Sequence, residues 1–163
     1  MDVRKIYEYA LQREHAGKEF FESNAGRMSH AAAEGIFRRL AAEEQKHIQF
    51  IESLIEELDS GGAADAGIAA ELDQGGFFQD RFESEMLDQT VIEAMAPDLP
   101  ILRMAYLIER DFSEFYEMAA SKAEGHPRAA LTMLAKWERS HEQLFKALHD
   151  AIFEEYASMP WGG

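Results

Sequence analysis

The sequence predicts an all-α fold: a bundle of four long helices, built as two antiparallel hairpins joined by a long crossover. Three observations carry this. The composition favours helix, with Ala, Glu, Leu and Met abundant and only 4 prolines in 163 residues. Four long stretches keep apolar residues at alternating spacings of three and four, the period of a helix with one buried face. The links between the first and second stretches and between the third and fourth are short, which makes antiparallel neighbours. About 40 residues separate the second from the third, enough for the chain to cross the bundle.

The first helix is expected from about Val3 to Met28, with Asp2 as N-cap. The second runs from about His30 to Leu58, with Ser29 as candidate cap and Ser60-Gly61-Gly62 as the stop. The third begins near Pro100, with Asp98 as candidate cap, and ends around Gly125. The fourth runs from Pro127 to about Ser158, before Pro160 and Gly162. The crossover, about residues 59–99, contains Gly61, Gly62, Gly67, Gly75 and Gly76. A structureless loop of that length is unusual in a compact domain, so one or two short helices are expected in it, around Phe82 to Ala96. The length fits one domain, residues 1–163.

Charge and composition exclude several functions. The formal net charge of -15 repels phosphate backbones and anionic membrane surfaces, so neither nucleic acid nor membrane is an expected partner. No apolar run reaches the length of a transmembrane span. There are no cysteines, hence no disulfide, no thiolate metal site and no Cys nucleophile in this sequence. The opening MDVRKIYEYALQREHAG carries charges throughout and does not read as a secretory signal; a cytoplasmic location is the expectation.

The halves of the chain resemble each other. The stretch Glu14 to Glu22, EHAGKEFFE, aligns with Glu109 to Glu117, ERDFSEFYE, at a shift of 95. Leu40 to His47, LAAEEQKH, aligns with Leu134 to His141, LAKWERSH, at a shift of 94. A near-constant shift over two helices reads as one hairpin used twice. Two unrelated amphipathic helices would share apolar spacing, but not Glu and His at matched places.

Those matched residues lie where apolar ones belong. The core stripe of the second helix is Leu40, Glu44, His47, Ile51, Leu54, Leu58, and that of the fourth is Leu131, Leu134, Glu138, His141, Phe145, Leu148, Ile152. The first gives Tyr7, Ala10, Glu14, Gly17, Phe21, and the third Leu102, Ala105, Glu109, Phe112, Tyr116. Four carboxylates and two imidazoles therefore point at one interior, near the middle of each helix. Unpaired buried carboxylates cost several kcal/mol each, and Arg and Lys are nearly absent from these stripes. Two divalent cations would balance the four charges. A Glu and a His three apart rise about 4.5 Å along the axis and share a face, so one carboxylate can bridge two ions while the His binds one. A lone Glu-x-x-His is most often a surface pair; it is the set of six that points to a metal site.

One Glu followed by Glu-x-x-His, repeated after a crossover, resembles the ferritin-like di-iron carboxylate proteins. The Glu-Phe-Phe-Glu and Glu-Phe-Tyr-Glu endings of the two aligned segments look most like the rubrerythrin branch, over the four main helices but not the crossover. The resemblance implies that Glu14, Glu44, His47, Glu109, Glu138 and His141 are metal ligands, with Glu44 and Glu138 bridging two iron ions, Mn or Zn being alternatives. It implies a peroxidase-type oxidoreductase acting on hydrogen peroxide or dioxygen and re-reduced by an external electron donor, or else a ferroxidase or iron-storage protein. A metal-free interaction module is the remaining alternative. Two departures stand out. The rubredoxin domain of many rubrerythrins needs four Cys and is not expected here. The extra carboxylate one turn beyond the third-helix Glu is replaced by Phe112, with Gly17 at the matching place after Glu14.

Among the other residues, His15, adjacent to Glu14, is expected at the surface or an interface. His149 is a candidate for a contact behind the ligands, and Tyr116 for a hydrogen bond to one of them. Glu43, off the stripe, is expected to be solvated, and Trp137 to pack in the core or a dimer contact. A homodimer is expected through crossover residues such as Phe77, Phe78 and Phe82.

Overall fold

A computed structural model describes residues 1–60 and 89–160. Among these residues five α-helices follow in order: α1 (Val3–Ala25), α2 (Ala31–Ser60), α3 (Gln89–Ala94), α4 (Leu99–Lys122) and α5 (Gly125–Ser158). A 3-10 turn, Ala96–Asp98, leads from α3 into α4. There is no strand among the described residues. α1 packs chiefly on α2 and α4 chiefly on α5, so the fold is two antiparallel hairpins joined by a crossover, a ferritin-like four-helix bundle. The Phe77, Phe78 and Phe82 surface, and the part of the expected crossover helices before Gln89, lie outside the described residues.

Local chemistry explains the helix ends. Asp2 caps α1, its side chain accepting a hydrogen bond from the Lys5 backbone N–H at 3.3 Å. Two other expected caps are corrected. Ser29 does not cap α2; His30 does, its Nδ1 accepting from the Ala32 backbone N–H at 3.0 Å. Asp98 makes no side-chain cap at α4. Its carboxylate instead accepts from the Ser29 backbone N–H at 2.9 Å and the Ser29 hydroxyl at 2.8 Å. A tertiary bond has taken both groups, fastening the α1–α2 turn to the start of α4. Gly125, the first residue of α5, adopts a φ of 59°, a left-handed conformation that glycine enters without steric cost.

The interior divides into two apolar clusters with a polar level between them. At one end, Phe21 of α1, Ile36, Phe37 and Leu40 of α2, Leu102 of α4 and Phe145, Leu148 and Ile152 of α5 pack together. At the other end lie Tyr7, Phe50, Ile51, Leu54, Phe112, Tyr116, Leu131, Leu134 and Trp137. Each long helix contributes to both, and the Glu or Glu/His pair of each sits between its two contributions. Antiparallel packing brings these interruptions to one level.

Candidate metal centre

Helix periodicity alone directs the six side chains inward. Glu44 and His47 are one turn apart on α2, Glu138 and His141 one turn apart on α5, and Glu14 and Glu109 face them from α1 and α4. All four glutamates and His47 are 0% exposed, and His141 is 6% exposed. Their donor atoms form two overlapping groups, Glu14–Glu44–His47–Glu138 and Glu44–Glu109–Glu138–His141, each with its atoms within 4.8 Å of one another. Glu44 and Glu138 belong to both groups.

The geometry is that of donors arranged around common points. His47 Nδ1 lies 2.6 Å from Glu138 Oε1 and 3.3 Å from both Glu14 Oε2 and Glu44 Oε2. His141 Nδ1 lies 3.5 Å from Glu109 Oε2, 3.5 Å from Glu138 Oε2 and 3.6 Å from Glu44 Oε1. Yet both oxygens of Glu44, Glu109 and Glu138, and His141 Nδ1, are buried without an aligned hydrogen-bond partner among the described residues. Buried polar atoms are rarely left so, and each costs about 1–3 kcal/mol. A cation at each point would satisfy them together.

Charge accumulation shows in the proton affinities. Burial, and then the charges of Glu138 and Glu44, hold the Glu14 and Glu109 carboxyls well above the usual range. Burial opposes charge on His47 too, but Glu138 and Glu44 outweigh it and raise that imidazole. His141 is raised against burial chiefly by Glu109. Glu138, despite burial, is held low by the positive charge of His47 and then of His141 close beside it. Without cations, protons take the place of positive charge in this interior.

The surroundings add contacts that the stripes do not show. Tyr116 donates a hydrogen bond to Glu14 Oε1, so this tyrosine both packs in the core and holds a ligand candidate. Burial, and then Glu14, keep its phenol well above the ordinary value. Glu43 is not simply solvated. Its Oε2 lies 2.7 Å from His141 Nε2, and its side chain is only 18% exposed. Trp137 is buried with its ring 5.5 Å from that of His47, at an interplanar angle of 18°. Phe112 packs against Gly17: a Cβ at Gly17 would lie 3.0 Å from Phe112 Cε2. Glycine thus admits an aromatic ring at the place where the family resemblance implies an extra carboxylate.

The remaining histidines stand elsewhere. His15 is exposed, His126 Nδ1 lies 3.2 Å from Glu57, and His149 faces Asp150 and stacks on Phe153 rather than backing a ligand. Sequence reasoning missed Glu43 as a partner of His141, since that contact joins separate hairpins. Its signal, an acidic residue immediately before the inward Glu, is too common to be read alone.

Neither a curated protein nor a solved structure matches the chain. A family profile does: Rubrerythrin, over residues 5–149, which takes in all six clustered side chains. On that match, and with the fold and the buried cluster in agreement, the chain belongs to the Rubrerythrin family.

Proposed function

We propose that the chain is a di-iron oxidoreductase of the peroxidase type, one bundle domain over residues 1–163, that reduces hydrogen peroxide or dioxygen. The observation that carries this is the convergence of unpartnered buried oxygens and an imidazole nitrogen on two adjacent points. Hard carboxylates with two imidazoles suit iron, and Mn or Zn less distinctively. Glu14 and His47 would serve one ion, Glu109 and His141 the other, with Glu44 and Glu138 shared. Bound iron would supply one electron per ion, the two electrons needed to reduce hydrogen peroxide with two protons to two waters.

The chain's own residues set the terms of that chemistry. Of the six clustered side chains His141 alone is exposed, by 6%, which suits a small oxidant such as hydrogen peroxide or dioxygen. Phe112 and Trp137 keep the surroundings apolar and water-poor. Tyr116 fixes Glu14 and retains its phenolic proton. This reading assigns re-reduction to an external donor protein, and a cytoplasmic homodimer as the setting.

A ferroxidase or iron-storing role is the second reading. Phe112 favours it, because an aromatic ring packed against Gly17 stands where a further carboxylate would let an iron move. Anaerobic loading with Fe(II), followed by stopped-flow mixing with peroxide and dioxygen separately, tests both. Faster oxidation by peroxide supports the peroxidase. Faster oxidation by dioxygen, with turnover well above two irons per chain, supports the second reading. Absence of reaction with either oxidant removes both.

A further inference from the structure

The two hairpins are near repeats, yet the residues behind their histidines differ in kind. At a shift of 94 in the aligned sequence, Glu43 corresponds to Trp137. Glu43 Oε2 accepts from His141 Nε2 at 2.7 Å. Trp137 lies against the face of His47, with rings 5.5 Å apart. An indole offers no acceptor, and His47 Nε2 is buried with no hydrogen-bond partner among the described residues. The first-helix glutamates differ in the opposite sense. Tyr116 donates to Glu14, drawing electron density from a carboxylate in the His47 group. Its counterpart at a shift of 95 is Phe21, which has no hydroxyl, and both oxygens of Glu109 are unpartnered.

We propose that the two metal positions are unequal, and that Glu43 is the positioning residue that makes the one at His141 the tighter and first filled. This rests on the two-metal reading above and goes beyond it. A carboxylate on Nε2 fixes the proton there, leaves the Nδ1 lone pair facing the cluster and strengthens it as a donor. The same carboxylate adds negative charge beside that position. His47 lacks both advantages, and Glu14 shares its charge with a phenol. All these differences favour the His141 position.

The test is a stepwise titration of the full chain with Zn(II), a redox-silent probe, with the 15N resonances of the two imidazoles followed by NMR and affinities measured by chelator competition. In the wild type, His141 should shift during the first equivalent and His47 during the second. Glu43→Leu should weaken the first step about 10–100-fold and abolish that order. Glu43→Gln, whose amide oxygen still accepts the Nε2 proton, should recover most of the loss; a merely structural defect would not be rescued in this way. Two imidazoles that fill together in the wild type, or a filling order unchanged in Glu43→Leu, would overturn the proposal while leaving two metals bound. The wild-type filling order is decisive even where Glu43→Leu fails to fold. No Zn(II) uptake at all would overturn the two-metal reading and this proposal with it.

Discussion

Glu109 shows most clearly what the cluster costs the protein. Its carboxyl is fully buried, lacks an aligned partner at either oxygen, and is raised by burial and by its two acidic neighbours. A buried carboxyl with no aligned partner carries a desolvation cost of about 1–3 kcal/mol, which an apolar side chain of similar size does not carry. Glu109→Leu should therefore raise the unfolding free energy of the metal-free protein, by up to about 3 kcal/mol, while lowering metal content. Thermal unfolding with and without Fe(II) measures both; a metal-free variant no more stable than the wild type would contradict the expectation. The six inward residues were legible at this scale because each breaks an apolar stripe. Glu43 was not, and Trp137 was legible only as a core residue, since what matters about them is which residue of another helix they meet. A helix turns about 100° per residue, and Glu43 points well away from Glu44. Only the packing of α2 against α5 brings it to His141.

Among the elements, α1 and α4 meet through an unusual pair. Gly17 sits in mid-helix, where alanine would ordinarily gain about 1 kcal/mol. A Cβ there would press on Phe112 at 3.0 and 3.3 Å, so the ring would have to shift by a few tenths of an ångström. Gly17→Ala should destabilise the wild-type background by about 1 kcal/mol, yet stabilise a Phe112→Leu background by a similar amount. A double-mutant cycle by urea unfolding measures that change of sign; additive effects would count against it. The helices themselves were largely evident in the sequence, because long amphipathic periods and an Asp cap are local signals. Asp98 and Ser29 were misread as caps because they bond to each other, sixty-nine residues apart. The first helix also ends at Ala25, short of the expected Met28, whose side chain packs into the core instead.

For the whole molecule, the cluster ties stability to pH and to metal. In the metal-free state Glu14, Glu109, His47 and His141 all hold their protons more tightly folded than unfolded. A raised folded pKa contributes stability that is complete below the unfolded value and is lost as pH rises through the folded one. The unfolded values lie near 4.3 for Glu and 6.5 for His. Stability of the metal-free protein should accordingly fall as pH rises from about 5 to 8, seen as a declining thermal midpoint. Glu44 and Glu138, whose folded values are lowered, act in the opposite direction, but only below about pH 4.3. Metal loading should reverse the trend, because cations replace the protons, and calorimetry in buffers of different ionisation enthalpy should register proton release on binding. A metal-free midpoint that rises between pH 5 and 8 would run against this picture.

Iron content per chain tests the central claim most directly. After anaerobic loading with Fe(II) and removal of free metal, the wild type should retain two irons per chain. Glu44→Ala and Glu138→Ala, which each remove a carboxylate common to both groups, should retain fewer than one while remaining helical by circular dichroism. A wild type that keeps no iron, or variants that keep two, would contradict a dinuclear centre built on these six residues.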